Sequence, residues 1–417
     1  MSTRRHIVFV QSSDFWGDTM RLAQTGEQNF RAQRYSMDFV TDLAAGGDKI
    51  TVIAINRDEA FRRTTPAGID VVFLRRPADR RESLTQVTDA LAALPERPTH
   101  VILRIAHVSA LDWCCRNGVR VHANLADSFT PRAGLRGWMD RLRFRRLARL
   151  INGPRIDFCS NHNIAASQDL ARIGVSKTKI IPWDWPPEPK PEAFAPRTLS
   201  DKPVHDLLFV GSVKEAKGVG DLIRAFAASG ALRTRCRLTV VGRGDVAGMT
   251  RLARDLDVAD RVTFRGAIPF DEVVPTMRAH DLVLVYSRHE YTEGLPGVIY
   301  EGLTAKTPIV ISDHPMFVKY FSDAQEVAMA PAGAPAAMAA RILDLLDDPA
   351  LYAALSDRSE DVFYRIQHPL AWAEVIGRWL RNSEEDRAWM AENALPKWET
   401  RAQSPASGRG PGSTTGT

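Results

Sequence analysis

The chain has 417 residues, 44% of them hydrophobic, which is too long for one ordinary core and suits two domains of about 150 to 200 residues each. A net charge of +5 is small for this length and argues against a general nucleic-acid coat. Four cysteines, Cys114, Cys115, Cys159 and Cys236, lack metal-ligand spacing and read as reduced thiols of a cytoplasmic protein, with no metal site. No run of about eighteen apolar residues offers a membrane span, and the first apolar run is shorter than a signal-peptide core.

Along the first half, strands are predicted at His6 to Val10, Lys49 to Ile55, Val71 to Leu74, His100 to Ile105, Val119 to Leu125, Asp157 to Ser160 and Lys179 to Pro182. Amphipathic helices fall between them at Gln28 to Ala44, Leu84 to Leu94 and Ile164 to Ile173. Such alternation implies a parallel sheet covered on both faces. One stretch is strongly basic: Arg132, Arg136, Arg141, Arg143, Arg145, Arg146 and Arg149 stand against Asp140 alone. Its apolar residues, Leu135, Trp138, Met139, Leu142, Leu147 and Leu150, have helical spacing. A helix lying on an anionic membrane surface and an ordinary domain helix with a solvated basic face both fit, and the second weighs more.

From Pro182 to Pro203 the chain is Pro-rich and loses periodicity, as an interdomain linker would. A second alternation follows. Strands are predicted at Asp206 to Val210, Arg237 to Val241, Val262 to Phe264, Leu282 to Tyr286, Ile309 to Ser312 and Val327 to Met329, with helices at Gly218 to Ala228, Val246 to Leu256, Asp271 to Ala279, Gly297 to Ala305 and Ala334 to Asp347. The organisation reads as a domain over 1–182, a linker over 183–205, a second domain over 206–368, helices over 369–396 with the option of crossing back, and a disordered tail over 397–417, too polar and Gly/Pro-rich to fold.

Glu293 and Glu301 bracket a Gly/Pro helix start, Gly294 to Tyr300, that follows a strand and a polar loop. The free N–H groups of such a helix start face any docked anion, and carboxylates beside it suit the hydroxyls of a sugar or ribose. Solvated acids favoured by the helix dipole are the bland alternative, which accounts for Glu293 better than for Glu301. Upstream, Gly211 to Gly218 places a turn after a strand, with Lys217 as a point charge. Gly242-Arg243-Gly244-Asp245 and Arg265-Gly266 each follow another strand.

The segment Ser287 to Ser312, with Glu-x7-Glu followed by Gly302 to Val310, resembles the nucleotide-sugar signature of family 4 retaining glycosyltransferases. The likeness continues in order through Phe209 to Gly218, Val240 to Gly244 and Val262 to Gly266, and is faint before Lys179. It implies a GT-B fold, two Rossmann-like α/β domains facing each other across a cleft. It also implies transfer of a sugar from a nucleotide-diphosphate sugar to a hydroxyl acceptor with retention of configuration. No cofactor or metal is implied, since the nucleotide sugar is a co-substrate.

By the same resemblance Glu293 contacts hydroxyls of the transferred sugar, Gly294, Leu295 and Pro296 lie near sugar and phosphate, and Glu301 accepts from the ribose. Lys217 matches the family lysine that holds the diphosphate, while Ser212 stands where that family has arginine; Lys214, Arg243 and Arg265 are further cations. Asp127 is the candidate at the place of the family histidine after the fifth strand, with His122 and His107 as alternatives. A buried strand histidine or a helix-capping aspartate is the bland reading there. Gly17 and Gly26, in the loop Gln11 to Gly26, occupy the acceptor side.

The acceptor expected is a glycan, a lipid-linked sugar or a small molecule, with exopolysaccharide assembly leading. Two other functions stay open: a nucleotide-sugar-binding scaffold with reduced catalysis, and a dinucleotide-dependent oxidoreductase. The latter lacks a Gly-x-Gly-x-x-Gly after its first strand, where Gln11 to Trp16 stands.

Overall fold

The computed structural model describes residues 4–26, 28, 32–131, 134–291 and 294–402. The first sheet contains β1 (His6–Gln11), β2 (Lys49–Arg57), β3 (Phe61–Thr64), β4 (Asp70–Arg75), β5 (His100–Leu103), β6 (Arg120–Leu125), β7 (Cys159–His162) and β8 (Ile180–Trp183). Their spatial order is β3-β4-β2-β1-β5-β6-β7-β8. Around it lie α1 (Phe15–Thr25), α2 (Gln33–Ala45), α3 (Arg80–Ala92), α4 (Val108–Arg116), α5 (Gly134–Asn152) and α6 (Ile164–Arg172).

The second sheet contains β9 (His205–Val210), β10 (Cys236–Val241), β11 (Val262–Gly266), β12 (Leu282–Val285), β13 (Ile309–Ser312) and β14 (Ala328–Ala330), ordered β11-β10-β9-β12-β13-β14. Its helices are α7 (Val219–Ala228), α8 (Gly230–Arg235), α9 (Val246–Asp255), α10 (Val273–Ala279), α11 (Gly297–Thr304), α12 (Pro335–Leu346) and α13 (Pro349–Ile366). Finally, α14 (Trp372–Arg381), α15 (Glu384–Glu392) and α16 (Leu395–Ala402) close the described chain.

Helices cover both faces of each sheet, and this is why the strands are apolar runs rather than alternations: every residue of β1, β12 and β13 is buried. The exception is β3, antiparallel to β4 at the sheet edge, where Phe61 stacks on Phe73 at 3.9 Å between centroids. Its sequence, Phe-Arg-Arg-Thr, holds one apolar residue, so it makes no run to read.

The segment Gln11 to Gly26 is not the loop expected. Most of it is α1, capped by the Asp14 carboxylate accepting from the Gly17 amide at 3.0 Å, and ended by Gly26 in a left-handed conformation at φ 72°. Gly17 therefore lies in a helix turn and Gly26 is a helix terminator.

After α13 the chain returns to the first sheet. Trp372, Val375, Ile376, Trp379 and Leu380 of α14 share one core with Ile7, Phe9, Ile50 and Val52. A buried polar chain ties them together: the Trp372 indole N–H donates to Asn124 Oδ1 at 2.6 Å, Asn124 Nδ2 donates to Ser160 Oγ at 2.7 Å, and that hydroxyl bonds His122 Nε2 at 2.8 Å.

Burial, reinforced by Arg120, pushes the His122 imidazole down to about 3. Because the folded value lies below the ordinary one, the unfolded chain takes the proton first, and His122's contribution is full above about pH 6.5 and lost as pH falls toward 3. At pH 5 the expected loss from this residue is roughly 2 kcal/mol. A His122→Gln variant should then show a flatter slope of Tm against pH between 6.5 and 5, and superimposable slopes would refute this assignment.

Candidate functional site

The carboxyl ends of parallel strands are where backbone groups are left free to meet a ligand. In the second sheet three such ends are stitched together. Gly211 N donates to Val241 O at 2.9 Å, Val213 N to Arg243 O at 2.8 Å, Asp245 N to Val213 O at 2.9 Å, and Gly242 N to Gly266 O at 2.8 Å. Loops this close need glycine. Gly242 has φ 143°, and a Cβ there would collide with the Gly211 carbonyl; Gly218 has φ 78°, and a Cβ there would collide with the Tyr286 carbonyl.

A cluster of charges braces this platform from below. The Arg288 guanidinium, following β12, donates to both oxygens of Asp221 at 2.7 and 2.6 Å and to Glu215 Oε1 at 2.7 Å, while its backbone N–H donates to Ala216 O at 3.0 Å. Asp221 is buried on α7, and Arg224 adds contacts to it at 3.3 Å and to Glu215 at 2.5 Å. The loop 211–218 is thereby pinned to the loop after β12. No sequence signal marks Arg288; its role depends on a partner 67 positions away.

Lys217 ends that loop, half-buried, with its ammonium 4.7 Å from the Tyr291 ring centroid. Tyr291 is on the segment leading into α11, and its carbonyl accepts from His314 Nε2 at 3.0 Å. Lys217 is thus brought beside the approach to α11, while Gly211, Ser212 and Arg243 lie on the stitched loops, the last two exposed. Leu295 is buried, Gly294 and Pro296 are half-buried just before that helix, and Glu301 is half-buried within it. Arg265 is exposed on the edge strand β11, and Lys214 is exposed on its loop. Glu293 lies outside the described residues.

Tyr300, next to Glu301, is fully buried and its hydroxyl donates to Asp184 Oδ2 at 2.9 Å. Asp184, 1% exposed, also accepts from His162 Nε2 and the Trp185 and His368 amides, at 2.9, 2.8 and 3.2 Å. The Pro-rich stretch therefore begins as a buried polar junction between the sheets.

On the opposite side, Asp127 follows β6. Its amide donates to Asn161 Oδ1 at 3.2 Å and its carbonyl accepts from Asn161 Nδ2 at 3.0 Å. The side chain keeps contact with solvent, yet crowding by surrounding protein raises its carboxyl above the ordinary aspartate value, against the pull of Arg143. The two histidine alternatives have structural partners. His122 is in the buried chain described above, and His107 caps α4, accepting from Ala110 N at 3.1 Å and bonding Ser83 O at 3.2 Å.

The basic helix α5 packs one face on the domain and exposes apolar residues beside its arginines. Gly137, Asp140, Phe144, Leu147, Ala148 and Ile151 face inward, leaving Leu135, Trp138, Met139 and Leu142 exposed by 86, 60, 41 and 45%. Arg132 lies outside the described residues. Among the described residues no helix is long and apolar enough to cross a membrane.

Residues 192–362 match the family model of glycosyl transferases group 1. The match covers β9 to β14 and the platform above. Over 171 residues the chain is 26% identical to a phosphatidyl-myo-inositol mannosyltransferase of Mycolicibacterium smegmatis, covering 41% of this chain and 43% of that relative. In solved structures, HepE of Anabaena in complex with UDP and glucose superposes with a TM-score of 0.62 at 12% identity, over 91% of this chain and 99% of that one. Sucrose-phosphate synthase of Thermosynechococcus elongatus gives 0.61 at 17% identity, again over 91% and 99%. The fold is GT-B: two Rossmann-like domains, as the alternation of strands and helices predicts.

Proposed function

We propose that the protein is a glycosyltransferase that binds a nucleotide-diphosphate sugar on the second domain and passes the sugar to a hydroxyl acceptor held by the first. The observation that carries this reading is the glycine-stitched platform with Lys217 beside α11, inside the stretch that matches group 1 glycosyltransferases.

The chemistry follows from the charge that develops. As the diphosphate leaves, the sugar gains oxocarbenium character, and the free N–H groups opening α11 with Lys217 stabilise the departing anion. Glu301 accepts from ribose hydroxyls, Gly294, Leu295 and Pro296 approach sugar and phosphate, and Glu293 takes the sugar hydroxyls in a Glu-x7-Glu arrangement of the family 4 type. Ser212 supplies a hydroxyl where that family has a guanidinium, so Arg243 shares the anion with Lys217. The reaction retains configuration and uses no metal or cofactor, a departing phosphate oxygen taking the acceptor proton near Asp127. Assembly of a polysaccharide or another glycan is the proposed setting.

A thermal-shift panel of nucleotide sugars tests the donor site, because a ligand of the folded state alone raises stability by RT ln(1 + [L]/Kd). One UDP- or GDP-linked sugar is expected to raise Tm, with the response abolished in Glu301→Ala and reduced at least tenfold in apparent affinity in Lys217→Ala. An unchanged response in a folded Glu301→Ala protein would remove the ribose assignment.

Peripheral membrane contact through α5 is proposed on its exposed Leu135, Trp138, Met139 and Leu142 flanked by arginines. Vesicles containing phosphatidylglycerol should carry the protein in flotation, neutral phosphatidylcholine vesicles should not, and Trp138→Glu/Leu142→Glu should release it. Equal recovery of wild type and variant would count against the contact.

A further inference from the structure

Arg104 stands at the carboxyl end of β5, between β1 with Gln11 and β6 with Asp127, on the edge of the first sheet that the acceptor reading uses. Its guanidinium lies beside two indoles that pack on each other at 5.7 Å, 5.1 Å from the Trp372 ring centroid and 5.8 Å from that of Trp185. One N–H donates to Gln11 Oε1 at 3.0 Å, and the Gln11 amide in turn donates to Ser13 Oγ at 2.6 Å. No carboxylate among the described residues forms an ion pair with it, although Asp18 lines the same cavity.

A cation placed so is expensive to keep. Crowding by the surrounding protein pushes Arg104 down to about 10, although the side chain keeps partial contact with solvent. Contact with aromatic rings returns less than even partial withdrawal of a charge from water without a counter-charge costs. A leucine or methionine would pack against the indoles without that penalty. The cavity that Arg104 opens onto, about 80 Å³ and lined also by Phe9, Gln11, Ser13, Phe15 and Asp18, is where a counter-charge can enter. The second domain reaches toward this edge, with Phe270 N donating to Gln28 O at 2.8 Å.

We propose that this cavity is an anion-recognition pocket of the acceptor site, in which the Arg104 fork receives a carboxylate or phosphate group carried by the acceptor. Arginine suits either oxyanion because two parallel N–H groups match its paired oxygens. Gln11 fixes the orientation of the guanidinium, and Ser13 stands beside it as a hydroxyl donor. The acceptor is then an acidic sugar or a phosphorylated one rather than a neutral glycan. This inference rests on the glycosyltransferase reading above, since it takes the first sheet's carboxyl edge to be the acceptor side.

The test compares full-length wild type, Arg104→Gln and Arg104→Lys by thermal shift with glucuronate, glucose 6-phosphate, inorganic phosphate and glucose, and separately with the nucleotide sugar that stabilises the wild type. Glucuronate, or the two phosphates, should stabilise the wild type while glucose does not; which arm responds identifies the oxyanion. Arg104→Gln should weaken that response at least tenfold, Arg104→Lys should retain part of it, and the nucleotide-sugar response should be the same in all three proteins. An anion response equal in wild type and Arg104→Gln, or no anion exceeding glucose, overturns the pocket. Loss of the nucleotide-sugar response in the wild type would instead overturn the donor site, so the two failures are separable.

Discussion

Arg288→Ala is expected to lower stability by about 3 kcal/mol and to abolish the thermal response to nucleotide sugars, because it strips a buried carboxylate of its bidentate partner. Asp221 is 1% exposed and accepts two charge-assisted bonds from Arg288; the remaining contact, Arg224 at 3.3 Å, is longer and single. The same change leaves Glu215, on the loop that places Lys217, with Arg224 alone. Arg224→Ala, which removes a more exposed partner, should cost less than about 1 kcal/mol. Urea unfolding followed by circular dichroism measures both. If the two variants unfold at the same midpoint, Arg288 is not the brace of the platform.

Trp372→Ala should cost about 3–5 kcal/mol, as large-to-small changes in a closed core do. The indole is fully buried, meets Phe39 edge-on at 5.2 Å and Trp185 at 5.7 Å, and donates to Asn124. Trp372→Phe keeps much of the volume but leaves the buried Asn124 oxygen without its donor, a loss of about 1–3 kcal/mol. Because α14 packs on the first sheet, the loss should appear in the transition of the first domain, leaving the nucleotide-sugar response of the second in place. A variant that unfolds with wild-type midpoint would show that α14 can detach from that sheet without consequence.

The parallel strands were legible because burial on both faces writes them as continuous apolar runs: Ile7 to Val10, Leu282 to Val285 and Ile309 to Ile311 need no partner to be read. β3 was not, since an edge strand of Phe-Arg-Arg-Thr is stabilised by its neighbour β4 rather than by its own pattern. α1 was missed because Gly17 and the two acids near it read as a loop, whereas Asp14 spends its carboxylate on capping. In the candidate site, glycines and lysine following a strand can be found by position alone. Arg288, Asn161 and Arg104 could not, because each acquires its meaning from residues distant in sequence: Asp221, Asp127 and the pair Trp185 with Trp372.

The Asp184 junction constrains how the two lobes can move. Its carboxylate binds His162 of the first sheet and Tyr300 of α11 at once, so the helix that carries Glu301 is moored to the first lobe at its inner end. Lys319 to Asp169 Oδ1 at 3.1 Å, Tyr320 OH to Asn163 Oδ1 at 2.7 Å and Phe270 N to Gln28 O at 2.8 Å bridge the lobes as well, so a turn about Asp184 would have to part or carry these contacts. Sliding of one lobe along the other would tear the Asp184 bonds and strand a charge away from water.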